Sequence, residues 1–588
     1  MKTNTKKRGF VNSEDAKNIL TLTSDEVIEY FLKSDQFHGF ELPEYLNFDD
    51  VLKFVKEKIG NKRYEQCIAG GQNPDSLADV NLDILLNKDG KYAVRPLILT
   101  NPYLYYFLVK ELCSKKNWKT IKECFDKYTV PHIKSCAIPV VSAPKEKFHK
   151  STTILNWWST MEQRSIELSL EYRYMFATDI TNCYGSVNPQ SIEWALNRKD
   201  TEHETTANST IAHNIQKYLK AMQQGRNIGI PQGSAVFDFV SEIILGYADL
   251  LLHEQIKKDG IDEPYEILRY RDDYRIFCNN KDVLEKISYI LQRVLESLNF
   301  RMNSQKTKIS DSLIIDSIKK DKLFYIYNTP ISNNKKKFDF DSFEKHLLYI
   351  LMFGRQFPNG GQLKNMLTDL DNRIRRWLTP SEKKDAKNNV IRTITLNDKT
   401  EAEVESNNET KGKDETTKRP LLGGSARAMA AVCVQIALEN VSCSHYALRV
   451  LSRIIESLDD EKEKRDIITK TYKKMCNQPN STYTQLWLQN ITYQNDKKEG
   501  SSPYDMRLCR LVAGDTDVNL WNNSWLKPEF TKDLPVGSAV DREKLKIITP
   551  VITFRETRAY YEDDVLDIIE EMLDDIGNED LDGDWDEL

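Results

Sequence analysis

The chain has 588 residues, 83 Lys plus Arg against 89 Asp plus Glu, a formal charge of −6 and 40% hydrophobic residues. That length accommodates about three or four domains. No run of 18 apolar residues occurs, the first eight residues lack the apolar stretch of a signal peptide, and the ten cysteines form no Cys-x-x-Cys pair. Composition thus argues against a membrane span, secretion and a cysteine zinc site, and for a reducing cytoplasm.

The net charge conceals an asymmetry. Residues 562–588 carry 14 acids and no Lys or Arg, so the remainder of the chain is basic by eight charges. A basic body suits nucleic-acid binding through phosphates. The acidic tail reads as a solubilising segment with a short docking helix (Val565, Leu566, Ile569, Met572, Leu573, Ile576).

In chain order, residues 1–90 read as a mainly helical N-terminal region, opened by a capping box from Thr23 to Glu26 ahead of Val27, Ile28 and Phe31. Val94-Arg95-Pro96-Leu97 follows, then a basic cluster of Lys145, Lys147 and Lys150 before Trp157-Trp158. Residues 174–187 contain an apolar run (Met175, Phe176, Ala177) that ends at Asp179, as a buried strand carrying an acid at its end would. After a polar stretch around 197–210 comes Gly229-Ile230-Pro231-Gln232-Gly233-Ser234. Its Gly and Pro predict a tight turn that allows close backbone approach, with Ser234 starting the helix over 239–252.

Residues 268–277 read Leu-Arg-Tyr-Arg-Asp-Asp-Tyr-Arg-Ile-Phe. Two adjacent acids sit among residues that favour a strand or hairpin. Carboxylates enter such surroundings when something offsets their desolvation, and a divalent cation does so. Asp179 and Asp272 are 93 residues apart, so only a fold can unite them. Asn303-Ser304-Gln305-Lys306-Thr307 comes next. Residues 331–396 predict thumb-like helices with Arg373, Arg375 and Arg376, and 397–418 is polar enough for a linker or disordered insertion. The region 419–561 shows helical periodicity in its first third, suggesting a mainly α-helical C-terminal domain of stacked antiparallel helices.

In this order the motifs resemble the palm motifs of reverse transcriptases: Asp179, the Pro231-Gln232-Gly233 turn, the Tyr270-Arg271-Asp272-Asp273 box and the segment 303–307. The resemblance is clearest over about residues 90–330 and implies an α+β right-hand polymerase. Fingers and palm would span 91–330, with an antiparallel palm sheet backed by helices and a strand at Leu323-Phe324-Tyr325. It implies RNA-directed DNA synthesis from dNTPs by two-metal phosphoryl transfer, with Mg²⁺ (Mn²⁺ as a substitute) at Asp179, Asp272 and Asp273 and at the Ile180 carbonyl. Asp179, Asp272 and Asp273 become the catalytic carboxylates. Tyr184, five residues after Asp179, would exclude a ribose 2′-hydroxyl. Gln232 and Gly233 would lie against the incoming nucleotide, Arg95 against template or triphosphate, and Lys306 beside the triphosphate.

The chain departs from the pattern at Phe237, Asp238 and Ser241 after the Gln-Gly turn, and at Arg271 and Arg275 beside the acids. None removes a metal ligand. Neither an endonuclease nor an RNase H domain is recognisable. A polymerase core followed by a helical C-terminal region resembles the bacterial defence-associated, abortive-infection group, which implies antiviral action with a companion noncoding RNA or protein subunit. Two other readings stay open: a template-independent or protein-primed DNA polymerase on the same palm, and a non-catalytic RNA-binding scaffold.

Overall fold

A computed structural model describes residues 17–70, 73–87, 94–141, 158–197, 205–328, 343–378, 383–384, 390–396, 400–404, 426–476, 478–500 and 502–553. The Lys145–Lys147–Lys150 cluster and the acidic tail lie outside these residues.

Among the described residues, the N-terminal region contains several short helices and, at its end, a strand. α1 (Ser24–Phe31) begins at Thr23, whose side chain accepts from the Glu26 amide while Glu26 reaches back, completing the capping box. α2 (Asp49–Ile59) buries Val51, Leu52, Val55 and Ile59 along one face. β1 (Leu82–Asn87) and β2 (Val94–Leu99) pair antiparallel from Leu82↔Leu99 to Asn87↔Val94. α3 (Pro102–Cys113) and α4 (Lys115–Tyr128) follow, with Asn101 capping α3 through the Tyr103 and Leu104 amides.

The central sheet comprises β3 (Ile133–Ser135), β4 (Tyr174–Asp179), β5 (Tyr265–Tyr270), β6 (Asp273–Cys278) and β7 (Lys308–Ser310), in the spatial order β3-β5-β6-β4-β7. The antiparallel expectation fails at one edge, because β3 pairs parallel with β5. Well over a hundred residues separate those strands, ample for the crossover that a parallel pair requires. One face of the sheet packs on the main core; the other carries a smaller cluster of Cys136, Met161, Leu168, Met175, Leu268, Phe277 and Leu313.

Behind the sheet runs α5 (Ala235–Lys258), 24 residues long and apolar on nearly every side. A helix of that character must be enclosed. A Cβ on Gly246 would stand 2.8 Å from the Tyr128 ring, so the glycine permits α5 and α4 to approach closely. α6 (Lys281–Ser297) flanks it, amphipathic and capped by Asn280.

The Leu323-Phe324-Tyr325 stretch is not a strand. It lies within α7 (Lys320–Asn328), where Phe324 packs on Phe353 and Phe357 with ring centroids 5.9 and 5.1 Å apart. Tertiary packing overrides the strand preference of these aromatics. Those partners belong to and follow α8 (Phe343–Gln356); α9 (Gly361–Leu378) comes next. In the polar stretch after it, Lys383–Lys384, Val390–Leu396 and Thr400–Val404 form a three-stranded antiparallel sheet. Thr400–Val404 falls within the expected linker, and its Thr-Glu-Ala-Glu-Val alternation has the period of a strand.

The C-terminal region is mainly helical: α10 (Ala426–Glu439), α11 (Ser444–Glu456), α12 (Glu461–Cys476), α13 (Thr482–Glu499) and α14 (Arg507–Ala513). It does not stand apart as a separate domain. Asp371 of α9 is buried against Arg449 (2.6 Å) and Arg453 of α11. The Trp521 indole donates to the Leu99 carbonyl (3.0 Å), Tyr103 donates to the Phe530 carbonyl (2.6 Å), and Trp525 stacks on Tyr64. Among the described residues no helix is long and apolar enough to cross a membrane.

Candidate active site

The register of the central sheet unites the acids. β4 and β6 pair with Asp179 opposite Asp273, and the Ile180 amide donates to the Asp272 carbonyl at 3.0 Å. Tyr270 and Asp273 close a two-residue hairpin whose turn is Arg271-Asp272. Arg271 takes φ +54, a left-handed conformation that costs a non-glycine residue about 1 kcal/mol. The segment after α6 returns along Asp179: Asn303 donates to the Asp179 carbonyl (2.8 Å), and the Thr178 and Thr307 hydroxyls meet at 2.7 Å. Lys306 is thereby brought into an ion pair with the Asp179 carboxylate.

Electrostatics follow from crowding. Burial, and then the Asp179 charge, raises the Asp272 carboxyl above its ordinary range. Asp273 is the most open of the three by surface area. Even so, the enclosing protein, with Asp272 and Asp179 next, pushes its carboxyl up to about 6. The hydrogen bond to Asp179, ahead of its charge, raises the Lys306 amine. Asp179 is only 6% exposed, and its Oδ1 is buried with no hydrogen-bond partner. A buried carboxylate oxygen without a donor is costly, and a divalent cation would satisfy it. Among the described residues no three His, Cys, Asp or Glu side chains converge into a ready-made cage.

The Gly229–Ser234 turn is clamped from two sides. Gly229 (φ +86) donates to the Val187 carbonyl (2.7 Å), with a Cβ there only 3.2 Å from the Gly185 carbonyl oxygen, and Ile230 donates to the Tyr184 carbonyl (2.9 Å). The Gln232 carbonyl accepts from Ile98 of β2 (3.0 Å), and that of Gly233 from Gly39 (2.6 Å). Gln232 and Gly233 are half-buried. Ser234 precedes α5, as expected, but its side chain caps nothing. The turn thus joins the Tyr184 segment to the β1–β2 hairpin. Arg95 is exposed on β2, three residues from Ile98. Among the described residues no hydrogen bond or ion pair joins it to the acids.

The sequence marks Tyr184, Asp238 and Arg271 singly but not their connection, and it leaves a second, deeper group unmarked. Tyr184 donates its hydroxyl to Asp238, whose other oxygen pairs with Arg271 at 2.6 Å. Burial and the Asp238 charge keep the Tyr184 phenol well above its ordinary range, so it remains a donor. Deeper, Arg269 is fully buried between Asp249 (2.8 Å) and Glu242 (2.9 Å), and Tyr274 donates to Asp249 (3.3 Å). The signal was available: Asp238, Glu242 and Asp249 are spaced i, i+4, i+11, one face of an otherwise apolar helix. Arg269 and Arg271 on the hairpin answer them.

Residues 114–340 match the family described as reverse transcriptase (RNA-dependent DNA polymerase). That segment is therefore similar to reverse transcriptase domains, and the mixed α/β architecture around the central sheet fits a palm-type polymerase fold. Among solved structures, the chain is similar to apo telomerase from Candida tropicalis truncated from its C-terminal domain. Identity there is 13%, over 44% of this chain and 54% of that one, with a TM-score of 0.27. Apo telomerase from Candida tropicalis gives 12% identity over 74% and 73% of the two chains and a TM-score of 0.29. Telomerase from Candida albicans in complex with a fragment of telomeric RNA gives 10%, 71%, 69% and 0.27. The chain thus spans about half of the first of these, and such scores establish no shared architecture. No curated protein matches the chain.

Proposed function

We propose that this chain is an RNA-directed DNA polymerase whose catalytic carboxylates are Asp179, Asp272 and Asp273. One observation carries the reading: strand register sets Asp179 opposite Asp273, beside the turn that holds Asp272, with an Asp179 oxygen buried and lacking any donor. A buried carboxylate beside two further acids with raised carboxyls at the end of a sheet is a functional signature.

Asp179 and Asp272, supported by Asp273 and the Ile180 carbonyl, would hold Mg²⁺. Bound there, the ions supply neutralisation of the triphosphate and acidity at the primer 3′-hydroxyl. The rest falls to the chain's own groups. Lys306, already drawn to the site by Asp179, presents a proton beside the leaving pyrophosphate. The half-buried Gln232-Gly233 backbone offers a fixed platform for the incoming nucleotide, and the Tyr184 ring excludes a 2′-hydroxyl. Arg95 on the fingers hairpin would meet template or triphosphate only once these are bound.

We place this activity in bacterial antiviral defence, on a template supplied by a companion RNA. A helical C-terminal region packed onto the polymerase core supports that reading. The test is incorporation of each labelled dNTP with Mg²⁺, with and without RNase treatment of the purified protein. Asp272→Asn is expected to reduce incorporation by at least about 10²-fold with its melting temperature retained. Loss with RNase as well identifies an RNA template. Synthesis that needs Asp272 yet survives RNase overturns the RNA-directed reading in favour of untemplated or protein-primed synthesis. Undiminished synthesis by Asp272→Asn overturns the assignment of the carboxylates.

A further inference from the structure

Two positions at which the chain departs from the reverse transcriptase pattern, Asp238 and Arg271, stand together. Asp238 lies in the first turn of α5, where the helix dipole favours a negative charge. One of its oxygens accepts from the Tyr184 hydroxyl; the other pairs with Arg271 at 2.6 Å. Arg271 also lies over the Tyr270 ring, 5.7 Å from its centroid, and occupies the left-handed position of the turn that presents Asp272. A single carboxylate thereby joins the Tyr184 ring to the turn that carries a catalytic acid.

Tyr184 needs such an anchor. It sits in a helix of only four residues, Cys183–Ser186, too short to be rigid on its own. Its backbone is held by the amide of Ile230 and its half-buried ring packs against the core, contacts that restrict the ring without fixing its hydroxyl end. The bond to Asp238 fixes that end. An aromatic ring rejects a hydroxyl reliably only when it cannot swing aside, and a pocket that merely adjoins a hydroxyl discriminates weakly.

We infer that Asp238 is a positioning residue for sugar selection, holding the Tyr184 ring against the 2′-position of the incoming nucleotide while Arg271 ties it to the catalytic turn. The inference rests on the reading of Tyr184 given above and adds to it that the ring is effective only when its hydroxyl is anchored. Arg271 balances the carboxylate, so the anchor brings no unpaired charge to the triphosphate.

The experiment measures kcat/KM for each dNTP and its matching rNTP with wild type, Tyr184→Ala, Tyr184→Phe, Asp238→Ala, Asp238→Asn and the Tyr184→Phe/Asp238→Ala double variant. Tyr184→Phe keeps the ring and removes only the anchor. The dNTP preference is expected to fall about tenfold in Tyr184→Phe and in Asp238→Ala, and no further in the double variant. Asp238→Asn retains an acceptor and should fall between Asp238→Ala and wild type. A preference in Tyr184→Phe and Asp238→Asn within about twofold of wild type, with Tyr184→Ala relaxed, overturns the positioning role while leaving the ring as the selective element. An unchanged preference in Tyr184→Ala overturns the reading of Tyr184 itself. Tyr184→Phe and Asp238→Asn are nearly isosteric, so they decide the matter even if Asp238→Ala fails to fold.

Discussion

His346 lies buried on α8, 9% exposed, and burial, followed by the Arg373 charge, pushes its imidazole down to about 4. The unfolded chain holds a histidine near 6.5. Above that pH both states are neutral and the residue contributes no pH dependence. As pH falls from 6.5 towards 4 the unfolded state takes up the proton first, so stability declines through that window by at most about 3 kcal/mol. Thermal melts of wild type and His346→Gln between pH 7 and 4.5 should therefore diverge, with the variant losing less on acidification. Parallel curves would show that burial of this imidazole contributes nothing to acid sensitivity. A resemblance at the level of sequence could not have pointed to His346, because its shift arises from what encloses it.

At the scale of elements, the hairpin of β5 and β6 is held to α5 by charge as well as by packing. Arg269 is fully enclosed, and both its acidic partners, Glu242 and Asp249, are on α5. Burial still raises the Asp249 carboxyl, with the Arg269 charge opposing it. Removing one partner of a buried ionic group leaves the others desolvated and uncompensated, a cost of about 3–5 kcal/mol. Arg269→Met is expected to lower the melting temperature markedly, whereas a variant that also carries Glu242→Gln and Asp249→Asn should recover part of the loss. If the single variant melts with wild type, the network is not what fixes the hairpin on the helix. The same elements explain the misreading at 323–325. Aromatic β-propensity suggested a strand there, and only the packing of Phe324 on Phe353 and Phe357 decides for a helix.

On the scale of the molecule, one continuous core runs from the N-terminal helices through the sheet and α5 to the C-terminal helices. The crossing points are specific: Leu46 bridges Val540, Ile68 bridges Leu526, and Glu41 meets His445 of α11. The β1–β2 hairpin is tied to the same region, the Leu85 amide donating to Thr482 at 2.6 Å. Trp525, wholly buried and stacked on Tyr64, should cost about 3–5 kcal/mol when replaced by Ala. Because its partners are N-terminal, Trp525→Ala is expected to lower the main calorimetric transition of the full chain rather than split off a separate one. A distinct early C-terminal transition, with the main one unmoved, would mean that the two ends fold independently.

Residue types and chain order alone singled out the adjacent acids of the hairpin, the acid at the end of β4 and the Gln-Gly turn, and the chemistry proposed for them came from a resemblance. Each of these is a local pattern whose physical cost, an acid in an apolar strand or a glycine in a tight turn, is visible in one dimension. The capping box at Thr23 was legible for the same reason. Tertiary structure decided what depends on contacts between distant segments: the parallel edge strand, the joining of the C-terminal helices to the N-terminal core, and the pairing of Asp238 with Arg271. A charge in a helix and a charge in a turn look like separate oddities along the chain. Only the fold brings them within 2.6 Å, where each offsets the desolvation of the other.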